Sequence, residues 1–256
     1  MFRAIRITIL LLLLVLAAGH TWLTRVRSTA WEVPLEAVVY PVNGDGSAVA
    51  GRYIEGLTVE EFQPVADFVA GEGKRYGLEL ARPLTVELAG EVGSLPPVAP
   101  VTGSIPAIML WSLRLRWWAW WVDNYQGPGD IKLFVLYYDP ANHRQLDHSL
   151  GLQKGQVGVV KAFAARRDAP GNNVVLAHEL LHTLGATDKY DLATGQPSFP
   201  DGFAEPERQP LYPQEWAELM GAVVPVAAGQ VAMPLGLGQV VIGPATAREI
   251  GWERKL

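Results

Sequence analysis

Cysteine is absent from this 256-residue chain. That absence excludes disulfide frameworks, thiolate zinc knuckles, iron–sulfur clusters, cysteine nucleophiles and a cysteine-switch propeptide together. Charge is scarce too: 18% of residues are Asp, Glu, Lys or Arg, against 49% hydrophobic. A chain so apolar is not disordered, and its 26 Gly and 19 Pro follow no collagen-like period. No acid precedes Glu32, whereas Arg3, Arg6, Arg25 and Arg27 all do. From residue 28 onward the balance is therefore 17 basic against 26 acidic residues, a net −9 compared with −5 for the whole chain. A folded part that acidic is unsuited to gripping phosphate backbones, which excludes nucleic acid as a partner.

The first pattern present is an uncharged run, Ile7 to Thr24, centred on five consecutive leucines from Leu10 to Leu14. As a helix it would reach roughly 27 Å, close to a thin bilayer core. Residues 1–27 thus read as an N-terminal membrane anchor or signal sequence. Cleavage would use Ala17-Ala18-Gly19. The anchor reading is preferred, because no clean small-x-small site ends in Ala and the apolar run continues through Trp22, an interface residue. The protein is then expected to be single-pass with its folded part extracytoplasmic (periplasmic or extracellular), or secreted if the segment is cleaved. Two arginines flank each side, so charge leaves the orientation open.

Beyond residue 28, strands are expected at Pro34–Val42, Pro83–Leu88, Ile131–Tyr137 and Gly158–Ala164. The nearly continuous apolar run of the third marks it as central. Thr58 should cap a helix that Gly77 closes, and a second helix is expected over Val174–Leu184. Glu91–Thr102 and Asp139–Lys154 read as loops, the latter holding His143 and His148. After Gly185 the chain is Pro- and Gly-rich, with short helical pieces near Pro213–Met220 and Ala245–Ile250. The fold class is α/β (α+β). A mixed twisted sheet with backing helices and an active-site helix should occupy 28–185, and a small irregular C-terminal subdomain 186–256.

The second helix carries the chemistry, in Ala177-His178-Glu179-Leu180-Leu181-His182-Thr183-Leu184-Gly185. Four residues apart, His178 and His182 project from one helix face, so both imidazoles can close on one ion. Glu179 lies about 100° round the helix, placed to act as general base toward an attacking water rather than as a third ligand. Burying these three among Val174, Val175, Leu176, Leu180 and Leu181 costs several kcal/mol unless they are paired or bound to metal. Gly185 can take the positive φ that ends the helix and turns the chain back, which returns Asp188 to the ion. Asp191 is a rival third ligand, although its ordinary role is a turn-former. Glu215 or Glu218 offers another completion from a later segment. Tyr190 could stabilise the oxyanion of a tetrahedral intermediate. The expected cofactor is one catalytic Zn2+ and the expected partner a peptide or protein substrate, making the chain a zinc metalloendopeptidase. The alternative is a non-catalytic, zinc-stabilised surface binding module, for which Glu179 has no use.

With His178-Glu179-x-x-His182-x-x-Gly185-x-x-Asp188 the chain resembles the zincin metallopeptidases of the metzincin kind, in the variant with Asp as third ligand found in the snapalysin family. Leu184 to Asp191 is also similar to the immune-inhibitor-A-like bacterial metallopeptidases, as are Glu218-Leu219-Met220-Gly221 and Ile250-Gly251-Trp252. The resemblance is sharp over residues 172–191 and loose over 213–252. It implies a zincin-like fold, His178, His182 and Asp188 as zinc ligands and Glu179 as base. It further implies that Met220 forms a methionine turn beneath the metal, with Met233 the other available methionine. A substrate laid along an edge strand is implied as well, and Gly158–Phe163 is the strand expected to serve.

Ile108 to Val122 holds five of the nine tryptophans and the arginines Arg114 and Arg116. It is too short and too charged to span a membrane. Two readings stand: a core helix covering the sheet, or an interfacial helix that lays the domain on its membrane.

Overall fold

The computed structural model describes residues 28–100, 104–146, 149–152 and 156–252, together with Arg6. The expected anchor over 1–27, Arg6 apart, and His148 lie outside the described residues. No helix among the described residues is long and apolar enough to cross a membrane.

The protein is mixed α/β. Its central sheet contains β1 (Leu35–Asn43), β2 (Leu84–Leu88), β3 (Ile131–Tyr138), β4 (Leu150–Leu152) and β5 (Val157–Phe163), in the order β2-β1-β3-β5-β4. β1, β2, β3 and β5 run parallel, and β4 lies antiparallel on the outer side of β5. β1 and β3 are buried on both faces, which is why they read as near-continuous apolar runs. Successive side chains alternate between two cores. Ala37, Val39, Leu133 and Val135 pack against the helices α1 (Ala48–Glu55), α2 (Gln63–Arg75) and α4 (Ala169–Leu184). Val38, Tyr40, Phe134 and Leu136 face α3 (Ile105–Trp121) and the flanking Val92 and Tyr125.

Several expectations need correction. Gly158–Phe163 is not an edge strand, because β4 covers Val157, Gly158 and Val159. That edge strand arises inside the expected loop Asp139–Lys154. α4 begins five residues before Val174: Pro170 is tolerated in its first turn, and the Asn172 carboxamide exchanges two hydrogen bonds with the Phe163 backbone, tying helix start to strand end. α1, unforeseen in the sequence, is capped by Ser47, whose hydroxyl accepts from the Ala50 N–H. Pro213–Met220 forms no α-helix; it leads into a short strand and a 3-10 turn instead.

After Gly185 the chain supplies β6 (Ala217–Glu218) paired with β9 (Val240–Val241), β7 (Val224–Ala227) paired with β8 (Gln230–Ala232), and α5 (Pro244–Glu249). Glu218, fully buried, organises this part. Its carboxylate accepts from Gly221 N–H at 2.8 Å, Gly243 N–H at 3.0 Å and Thr246 Oγ1 at 2.7 Å. Burial raises its proton affinity, while these donors pull the other way. The 3-10 turn Leu219–Gly221 is thereby fastened to α5. Glu218→Ala strands three buried donors and is expected to cost about 2–3 kcal/mol in urea unfolding. A loss below about 0.5 kcal/mol would contradict this role.

Candidate metal centre

His178 and His182 sit one turn apart on α4, with ring centroids 4.7 Å apart. Each ring is held at its inner nitrogen by a backbone carbonyl: His178 Nδ1 meets Leu219 O at 2.9 Å, and His182 Nδ1 meets Ala186 O at 2.9 Å. A carbonyl oxygen only accepts, so both Nδ1 atoms carry the hydrogen and donate it. In the neutral rings Nε2 is then a bare lone pair.

Those lone pairs converge on the third residue. Gly185, at φ 107°, ends α4 in the left-handed region, and Ala186 N–H returns to Leu181 O at 3.0 Å. The reversed chain brings Asp188 Oδ1 to 3.2 Å from His178 Nε2 and 3.1 Å from His182 Nε2. Asp188 Oδ1 is buried without a hydrogen-bond donor, as is Glu179 Oε2. Three electron-rich atoms facing one another at such distances repel unless a cation or a proton lies between them. Donors about 2.0–2.1 Å from a tetrahedral ion would stand roughly 3.3 Å apart, close to the spacing seen. The residues therefore fit a divalent ion. Ligand atoms of His178, Glu179 and His182 also lie within 4.8 Å of one another, which brings the glutamate to the same place.

Electrostatics follow from this crowding. Burial raises the proton affinity of Glu179 against the opposing pull of the two histidines. Burial also opposes ionisation of Asp188, but the imidazoles outweigh it and hold the carboxyl far below its usual range. His182 is disfavoured as a cation by burial, yet Asp188 and Glu179 shift its pKa upward overall. Tyr190, beside Asp188 and Glu179, is pushed up to about 12 by burial and these carboxylates, so its hydroxyl stays protonated at neutral pH.

The rival ligands lie elsewhere. Asp191 Oδ1 closes its own turn, accepting from Ala193 N–H, Thr194 N–H and Thr194 Oγ1. Glu215 pairs with Arg208 on the surface, and Glu218 is engaged as described. His143 approaches Asp45 rather than the centre. Met220 is buried in the turn whose Leu219 carbonyl orients His178, whereas Met233 is 68% exposed.

Two parts of the site carry no sequence signal that a single chain reveals. Gly151 on β4 crosses directly over α4. A Cβ there would collide with His182 Cβ and come within 2.7 Å of Glu179 O and 3.1 Å of Glu179 Oε2. The Asp188 loop is also clamped from below. Buried Lys189 donates from Nζ to Thr187 O at 2.8 Å and Glu249 Oε2 at 2.7 Å, and Glu249 accepts from Thr187 N–H at 2.9 Å. Lys189 N–H is meanwhile bonded to Met220 O at 2.8 Å.

No protein-family model matches the chain, and no curated protein matches its sequence.

Glu249→Ala leaves the Asp188 loop without its clamp and, if the centre takes a divalent ion, should weaken the affinity for added Zn2+ about 10–100-fold in calorimetric titration; unchanged affinity would show that the loop holds itself. The metal-free protein has its own pH signature. The His182 contribution is present below about pH 6.5 and lost as pH rises through its raised folded value. The Asp188 contribution is present above about pH 3.8 and lost as pH falls through its depressed one. The Tm difference between metal-free wild type and Asp188→Asn should thus be largest between about pH 4 and 6.5 and shrink above it. A difference independent of pH would contradict the pairing.

Proposed function

We propose that the protein is a zinc-dependent peptidase of zincin-like fold, with His178, His182 and Asp188 as ligands and Glu179 as general base. The observation that carries this reading is the convergence of two oriented Nε2 lone pairs and an unpartnered carboxylate oxygen beside a buried glutamate. The resemblance over residues 172–191 supports it as well. Bound zinc would supply Lewis acidity toward a carbonyl oxygen and lower the pKa of water.

The remaining work falls to this chain's own side chains. Glu179, its proton affinity raised by burial, is suited to accept a proton from the attacking water and deliver it to the leaving amine. The protonated Tyr190 hydroxyl, beside Asp188, is the donor available to a developing oxyanion in this reading. Of the two terminal strands, β2 and β4, it is β4 that lies beside β5 and α4, and among the described residues its outer edge is where an extended peptide can add as a further strand. Because Gly151 lies over Glu179, a peptide held there passes the base directly. A membrane attachment through Ile7–Thr24 would hold this activity at a bilayer, extracytoplasmic in the expected orientation.

Glu179→Gln is expected to retain stoichiometric zinc while cleavage of a peptide library falls by about 10²–10⁴-fold. A wild type that holds zinc yet cleaves no peptide would favour the non-catalytic binding module. Cleavage undiminished in Glu179→Gln would remove the glutamate from the mechanism.

A further inference from the structure

α3 is apolar on two sides, and the fold accounts for only one of them. Leu115, Trp118 and Ala119 are buried against the sheet, with Trp118 packed on Phe134 at 4.5 Å between ring centroids. Trp118 Nε1 donates to Ser94 Oγ at 3.0 Å and Trp111 Nε1 to Pro97 O at 2.9 Å, closing this inner side. On the outer side Met109, Leu113, Trp117 and Trp121 recur every four residues, flanked by Leu110 and Trp120. All six are exposed, Trp117 by 63%, Trp120 by 67% and Trp121 by 70%. A helix that is apolar all round calls for a second apolar environment.

We propose that this outer face of α3, a locally basic stretch on an otherwise acidic folded part, seats the protein on an anionic lipid bilayer, lying flat at headgroup depth. Charge selects this occupant. From Val92 to Val122 there is no acid, in a chain holding 26 of them, and the only charges are Arg114 and Arg116. Neither arginine is paired with an acid among the described residues, and Arg114 is exposed. A second copy of this face would bring no acid to them. Nor would the run Ile7–Thr24, since no acid precedes Glu32. Lipid phosphates supply the missing anion, tryptophans favour the headgroup boundary, and a 17-residue helix carrying two arginines lies on a membrane rather than across it. Chain length agrees. If Ile7–Thr24 is the anchor, Ser28 follows its end within about 14 Å of extended chain, which holds the folded part at the bilayer surface. The inference stands apart from the metal centre.

The absence of cysteine makes an introduced one unique. Full-length Leu113→Cys, and Leu192→Cys as an exposed control far along the chain, would each carry a nitrobenzoxadiazole label in vesicles of phosphatidylcholine and phosphatidylglycerol. The label at 113 should be quenched several-fold less by aqueous iodide, and several-fold more by a headgroup-proximal doxyl lipid, than the label at 192. Equal iodide quenching at the two positions would overturn the proposal by leaving the face in water. Shielding from iodide without doxyl quenching would overturn it in favour of a protein occupant, either a second copy or the N-terminal run.

Discussion

Two hydrogen bonds from imidazole to backbone carbonyl set everything else at the centre of this protein. By occupying both Nδ1–H groups, Leu219 O and Ala186 O fix the tautomer and the aim of His178 and His182. Without them each ring could turn, or present a hydrogen where a lone pair is required. With them, the two Nε2 lone pairs and the ionised Asp188 Oδ1 form a donor set that repels itself unless a cation or a proton lies among the three atoms.

The two carbonyls come from opposite directions along the chain, so the site records how the fold closes. Ala186 follows the glycine bend that ends α4. Leu219 lies 41 residues beyond His178, in a turn held by the buried Glu218 carboxylate, and Lys189 joins that turn to the Asp188 loop. The C-terminal part is therefore both a lid on one core and the source of ligand orientation. Its side chains Leu219, Met220, Ile242 and Ile250 share the core of the sheet and α4. Ion binding and the packing of this segment should accordingly be coupled, as in sites whose ligands assemble only on folding.

Much of this was legible in the sequence because it follows local periodicity. The i, i+4 spacing of His178 and His182 and the glycine three residues past His182 place the pair and the bend with no tertiary information and make Asp188 a candidate, whereas setting Asp191 and Glu218 aside takes the contacts that engage them elsewhere. The central strands β1 and β3 announce themselves as apolar runs. What could not be read depends on partners remote in sequence. β4 is three residues long and gains its identity only from lying on β5, so β5 reads as an edge until its neighbour is known. Glu249 looks like an ordinary last-turn acid until Lys189 and Thr187 meet it. Glu218, plausible as a ligand by residue type, is consumed by donors from Gly221, Gly243 and Thr246. α3 gave no single face to read, because apolar residues occupy both its inner and its outer side.

Zinc K-edge absorption on the zinc-loaded protein reads the identity and convergence of the donors. Four nitrogen and oxygen donors are expected at about 2.0–2.2 Å from the ion, two of them showing the outer scattering of imidazole. A shell of oxygen alone, or one imidazole with the same spectrum in His182→Ala, would contradict this donor set.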